Sequence, residues 1–329
     1  MNVTREMAFS HISSGISSGK QHIVGLKSDG TVVAAKAKDQ DYPGLSWEQI
    51  KVSDWKDIIA VSAGADHSVG LKSDGTVVST PVMGIEADSG QSAVDNWKDI
   101  IMISAGPFHT VGLKSDGTVV STKIVIDVDL ITEEGFDLDD FEVDYGQTEV
   151  EDWTDIVMIS AGAYHTVGLK ADGTVVSTSI TDDDYDYEQT EVNEWQDIVM
   201  ISANESHTLG LKSDGTVVAV GSDEYWQTAV DEWKDIVAVS AGVEHSVGLK
   251  ADGTVIGVGG DPIYQDDRSE LDKWEDIIAV SAGYGFTMGL KSDGSIVFAN
   301  NFEIDHDESL ININEWKDIA NPGYKPYSK

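Results

Sequence analysis

The chain predicts an all-β fold, a seven-bladed β-propeller whose ring is closed by N- and C-terminal strands, and three observations carry that expectation. The string Gly-Leu-Lys-Ser/Ala-Asp-Gly occurs seven times, its first glycine at Gly25, Gly70, Gly112, Gly168, Gly210, Gly248 and Gly289. A second string, Trp-x-Asp-Ile, also occurs seven times, beginning at Trp55, Trp97, Trp153, Trp195, Trp233, Trp274 and Trp316. The two ends are complementary. The first unit, Ile16 to Val33, has Ser10 where its tryptophan would stand, and the last, Trp316 to Ala320, has no Gly-Leu-Lys after it. A ring needs such halves if one blade is completed from both termini, whereas an open solenoid needs two atypical capping repeats.

Each of the first six tryptophans stands 15 residues before the next Gly-Leu-Lys, while the Trp-to-Trp steps run 42, 56, 42, 38, 41 and 42. Length therefore varies only outside the shared block. That block has no helical periodicity and is rich in β-branched residues, which points to strands. In the second unit Ile58–Ser62 reads as a first strand, His67–Lys72 as a second and Thr76–Ser79 as a third. Asp74-Gly75 supplies the positive φ that a tight hairpin between the last two needs. The small pair Ala63-Gly64 suits the crowded point where blades converge on the axis. Each blade is expected to hold about four short strands.

With these residues in view, the chain resembles the RCC1-like (regulator of chromosome condensation type) repeat family in its bacterial or phage form, where an Ala-Gly-x-x-His-x-x-x-Leu-Lys-x-Asp-Gly-x-Val core recurs. The likeness runs from Ile16 to Ala320 and implies the seven-bladed propeller of that family. The family's Gly-Gln element is partly kept: Gln49, Gln91, Gln147, Gln189 and Gln227 each stand six residues before a tryptophan, and Arg268 and Leu310 replace it in the last two units. The resemblance implies binding to proteins. Related bacterial propellers include a β-lactamase inhibitory type, and the eukaryotic namesake exchanges nucleotide on a small GTPase and binds chromatin. No inhibitory residue and no exchange motif carries over onto this sequence.

Composition narrows the partners. With 59 Asp plus Glu against 21 Lys plus Arg the net charge is −38, which excludes a basic nucleic-acid-binding face and an anionic lipid surface. A 40% hydrophobic fraction still supplies a core, and the absence of cysteine excludes disulfides, thiol nucleophiles and Cys-type metal sites. No signal-peptide core and no long apolar run is visible, so a cytoplasmic monomer is expected if Met1 is the native start. One propeller spanning 1–329 is expected, with an acidic loop insertion at about 123–146.

Residues repeated in every unit read as scaffold. His22, His67, His109, His165, His207 and His245 share one position, taken by Phe286 in the last unit, which argues for packing rather than a metal ring or proton relay. The seven tryptophans read as core, and the fourteen repeated aspartates read as turn and backbone-capping residues. Function is left to the rest. Between Lys123 and Glu194 stand 21 acidic and two basic residues, net −19, interleaved with aromatics. The candidate partner-binding residues are Asp137, Asp139, Asp140, Glu142, Asp144 and Tyr145 of the insertion, Asp182, Asp183, Asp184, Tyr185 and Tyr187 one unit on, and Tyr225 and Trp226. Aromatic anchors in a charged rim are the anatomy of a protein interface, and a negative field steers a basic partner.

Asp140, Glu142, Asp144 and Glu151 approach the spacing of a calcium-binding EF-hand loop, but Tyr145 stands where that loop requires glycine, so no metal and no cofactor is expected. No nucleophile, phosphate-loop or zinc-hydrolase motif is present, and the expectation is a non-enzymatic interaction module of scaffold or inhibitor type. The alternatives are a nucleotide-exchange-like regulator of a small GTPase or a propeller that binds a small ligand or sugar.

Overall fold

The structure is a computed structural model that describes residues 15–36, 48–82, 90–124, 144–260, 268–300 and 316–320. Its strands form seven antiparallel sheets of three, each built from consecutive strands, in the order inner, middle, outer. Blade 1 is β1 (Ile16–Ser18), β2 (His22–Leu26) and β3 (Val32–Lys36), and blade 2 is β4 (Ile58–Ala63), β5 (Ser68–Lys72) and β6 (Val77–Ser79). Blades 3 to 7 repeat that plan, with inner strands Ile100–Ala105, Ile156–Ala161, Ile198–Ala203, Ile236–Ala241 and Ile277–Ala282.

Three strands per described blade are fewer than the four that the sequence suggests. The stretch before each tryptophan turns instead of pairing. In blade 3 the Ala93, Val94 and Trp97 N–H groups donate to the carbonyls of Gly90, Ser92 and Val94, so the donors a fourth ladder would need are used locally. Val94 is nonetheless fully buried, so the turn still covers the blade edge.

Two rings of hydrogen bonds join the blades. Near the axis the Ala105 N–H of blade 3 donates to Ser62 Oγ of blade 2 (2.9 Å), the same bond follows from blade to blade, and the Ser18 N–H of blade 1 closes it on Ser281 Oγ of blade 7 (3.0 Å). At the other end of the strands, the Ile58 N–H reaches back to the Gly30 carbonyl in the preceding blade's turn (3.1 Å), and the series ends with Ile319 on Gly294 (3.4 Å). The aspartate before each of these isoleucines, Asp57 to Asp318, adopts a left-handed conformation with φ between 59° and 62°, which aspartate tolerates better than most residues. The other repeated aspartates build the turns: Asp74 Oδ1 accepts from both the N–H and the hydroxyl of Thr76, and those bonds hold its carboxyl below the usual range.

Closure takes place inside one strand. Ile319 pairs with Lys27 as Ile58 pairs with Lys72, and Ile16 pairs with Gly25 as Val61 pairs with Gly70. The inner strand of blade 1 is thus made from Ile319-Ala320 of the C-terminal segment followed by Gly15 to Ser18 of the N-terminal one, joined through Leu26, whose N–H donates to Gly15 and whose carbonyl accepts from Ala320. Trp316 completes the blade. Each tryptophan ring lies on the first glycine of a Gly-Leu-Lys string, so closely that a Cβ there would stand 2.6–2.8 Å from the ring, and Trp316 does this at Gly25 across the full length of the chain.

The buried histidines also link neighbouring blades. His67 Nε2 lies 2.7 Å from Thr110 Oγ1, and the Thr110 hydroxyl hydrogen goes to the Gln91 carbonyl (2.8 Å). With that hydrogen committed, the bond requires His67 Nε2 to carry the proton, leaving Nδ1 bare; Nδ1 of His22, His67, His109, His165 and His207 is buried without a partner. Phe286 of blade 7 faces blade 1, where Ile23 replaces the hydroxyl, so acceptor and donor are lost together and an apolar contact takes their place.

Two outcomes are expected. Gly168→Ala pushes a methyl to 2.8 Å from the Trp153 ring and should cost about 1–3 kcal/mol in urea unfolding. Burial lowers the imidazoles of His67, His109, His165 and His207 from 6.5 to about 3 and that of His22 to about 4. The unfolded chain takes up a proton at each below 6.5 and the folded chain does not, so their stabilisation is complete above 6.5 and lost as pH falls towards 3. The His207→Phe, Ser246→Ile pair, which copies Phe286 and Ile23, should make the dependence of unfolding free energy on pH shallower by about 1.4 kcal/mol per unit between pH 6 and 5. An unchanged slope in urea titrations would show that His207 is not held neutral.

Candidate functional site

The strand directions give the ring two faces. Asp-Gly turns and left-handed aspartates crowd one. The other carries the loops from inner to middle strands and, among the described residues, the segments that lead through the glutamines. Its centre is a cavity of about 440 Å³ on the axis, walled by the Ser-Ala and Gly positions of the blades. Each blade adds one large side chain to this mouth: Lys20, Asp66, Phe108, Tyr164, Glu205, Glu244 and Tyr284 in turn. Burial raises the carboxyls of Asp66 and Glu205, and Lys20 is the cation that opposes the shift in both.

The glutamines position the segments that lead through them. Each is buried, and its backbone carbonyl accepts the Ser or Thr hydroxyl that the preceding blade's histidine contacts. Its side chain then holds the chain before it. Gln147 Oε1 accepts the Tyr145 N–H and Gln189 Oε1 the Tyr187 N–H (both 2.6 Å), while Gln189 Nε2 donates to the Tyr185 carbonyl (2.8 Å) and Gln227 Oε1 accepts the Tyr225 N–H (2.9 Å). Tyr145, Tyr187 and Tyr225 are therefore held by one repeated contact, and Tyr185 by a second bond from Gln189.

Tyr145 is buried there. It supports the outer rings edge-on against Tyr164 (5.2 Å between centroids) and at 4.6 Å from Tyr185, and Tyr185 lies 4.4 Å from Tyr164, which continues to Phe108 at 6.1 Å. An aromatic strip thus runs from the axial mouth to the acidic loop. In that loop Asp182 accepts the Asp184 N–H (2.9 Å) and caps the short helical turn Asp183–Tyr185, whereas Asp183 and Asp184 are exposed. Asp144 is exposed and accepts the Gly146 N–H (3.1 Å). Asp137, Asp139, Asp140 and Glu142 lie outside the described residues.

The residue before the glutamine is left-handed in four blades: Gly90, Gly146, Glu188 and Trp226. Glycine adopts that conformation freely, but Trp226, at φ 66° and 72% exposed, does so against its side chain's preference. Among the described residues the exposed large hydrophobic side chains are Tyr187, Trp226 and Tyr284, and all three are on this face.

Known proteins match at two levels. The regulator of chromosome condensation (RCC1) repeat matches residues 58–80, the three strands of blade 2. The CRINKLY WD40 ectodomain of the Arabidopsis thaliana receptor kinase ACR4 is similar at a TM-score of 0.61 and 17% identity, over 88% of this chain and 96% of that one. Prp20p of Saccharomyces cerevisiae is similar at 0.57 and 15%, over 83% and 81%. The chain is a seven-bladed β-propeller that carries an RCC1 repeat in its second blade. The ectodomain of the Physcomitrella patens receptor kinase CR4 aligns at a TM-score of 0.64 and 16% identity, over 87% of this chain and 72% of that one. No curated protein sequence matches the chain.

In this propeller, sequence reasoning missed the residues of the axial mouth. Its signal was the pair of variable positions in Ser-Ala-Gly-x-x-His, where a largely constant string, Ser-Ser-Gly in the first unit and Ser-Ala-Asn in the fifth, changes from Lys-Gln to Ala-Asp, Pro-Phe, Ala-Tyr and Glu-Ser. Among the described residues no group of three His, Asp or Glu side chains could hold a metal ion.

Two substitutions test how the loops are held. Gln189→Ala releases two backbone groups and should cost about 1–3 kcal/mol in urea unfolding, while Trp226→Gly, by relieving the left-handed tryptophan, should raise stability by about 1 kcal/mol.

Proposed function

We propose that this propeller is a protein-interaction module that captures a partner with a basic surface through its mouth face. The observation that carries this reading is the coincidence of Tyr187, Trp226 and Tyr284 on one acidic face, with Trp226 kept exposed in a strained conformation. The strain matters because folding alone would favour glycine there. Acidic groups surround the anchors: Asp183, Asp184, Asp186 and Glu188 beside Tyr187, and Asp223 and Glu224 beside Trp226. Such a field speeds encounter with a basic surface and disfavours acidic ones. The fold neighbours are consistent with this: Prp20p is described as binding Gsp1p and histones, and yeast RCC1 (Prp20) as bound to Kap60. The repeated hydroxyls and imidazoles are committed to inter-blade bonds, which leaves the variable side chains of the face to meet a partner.

Photo-crosslinking distinguishes the faces. A benzophenone amino acid at Tyr187, Trp226 or Tyr284 should trap one common partner in extracts of the producing cells, and the same group at Ser73 or Ser213 on the turn face should trap none. Capture should weaken with added salt and with Asp183→Asn plus Asp184→Asn. Equal trapping from the turn face, or capture indifferent to both changes, would refute the reading.

A further inference from the structure

The axial mouth is short of positive charge. Asp66 and Glu205 stand on opposite parts of its wall, half-buried, and burial raises both carboxyls. Lys20 is the cation acting on each, and among the described residues no ion pair joins it to either. Its ammonium lies instead 5.9 Å from the centroid of the Tyr284 ring, in a cation–π arrangement at the rim. Across the cavity, Phe108 and Tyr164 present two further rings, their centroids 6.1 Å apart. The mouth therefore combines carboxylate acceptors with aromatic walls, and it already holds a tethered cation of its own chain.

A planar cation suits these walls best. Guanidinium stacks on aromatic faces, is weakly hydrated and so loses little on entering a partly dry site, and pairs with a carboxylate through two parallel N–H groups; an ammonium can sit over a ring but is strongly hydrated and meets a carboxylate only as a point charge. At about 440 Å³ the cavity has room for such a side chain with its flanking backbone. We propose that the axial mouth receives a single arginine side chain of the partner, between Asp66 and Glu205 and against the Phe108 and Tyr164 rings, and that Lys20 competes for the same place. This rests on the mouth face being the interaction surface and names the group it recognises.

The competition gives the test its sign. In calorimetric titrations of the whole chain, acetyl-Gly-Arg-Gly-amide should bind, and its citrulline counterpart, equal in shape but neutral, should bind roughly tenfold more weakly. Lys20→Met should tighten the arginine probe by roughly threefold, and Asp66→Asn with Glu205→Gln should abolish binding while leaving the urea midpoint in place. Equal binding of arginine and citrulline probes, no binding of either, a lysine probe as tight as the arginine one, or no gain from Lys20→Met would each overturn the proposal. If the arginine probe fails while crosslinks at Tyr187 and Trp226 persist, the arginine site is wrong and the interaction face stands; the converse pattern leaves the site and removes the face.

Discussion

The flat contact between a tryptophan ring and a glycine of the middle strand is the constraint on which the rest of the structure depends. It occurs once per blade, and each time the approach leaves no space for a Cβ. The contact sets the path of the chain as it enters a blade and seats the isoleucine that follows the aspartate at the start of the inner strand. That isoleucine's N–H then reaches the turn of the preceding blade. Because Trp316 makes the contact with Gly25, the interaction that shapes each blade also shuts the ring, so closure needs no separate device.

Closure in turn explains the polar interior. A propeller blade exposes two flat faces to its neighbours, and polar groups enclosed there are paired wherever they must donate, the bare Nδ1 acceptors of five histidines being left without partners. Serines near the axis, histidines with their hydroxyl partners and glutamine carbonyls meet that need in successive shells outward from the axis. The seventh interface departs from the scheme in a consistent way: Phe286 and Ile23 remove donor and acceptor at once, so neither group is stranded. What these shells leave over is a small set of positions with no scaffold duty. They are the two variable residues before each histidine and the segments that lead through the glutamines, and they converge on one face.

Strands were legible in the sequence to within a residue or two, since Ile58–Ser62, His67–Lys72 and Thr76–Ser79 became Ile58–Ala63, Ser68–Lys72 and Val77–Ser79. The hairpin turn was equally plain, because Asp74-Gly75 admits few other conformations. The expected fourth strand was not, because turn and strand differ there only in where the Ala93 and Val94 donors go, and that depends on the edge they cover. Of the candidate residues, Tyr187 and Trp226 stand exposed as a binding face requires, whereas Tyr145 lies beneath Tyr164 and Tyr185. An aromatic in an acidic stretch reads the same in either place.

By itself the sequence determined the repeat, the number of blades and the way the two ends complete one another, because those follow from local strings whose geometry is the same wherever they occur. Only the tertiary structure decided which positions share a face. Lys20, Asp66, Tyr164, Glu205 and Tyr284 are dispersed along the chain and meet because seven similar loops point towards one axis. No local pattern encodes that convergence, since it is produced by strand direction and ring closure acting together.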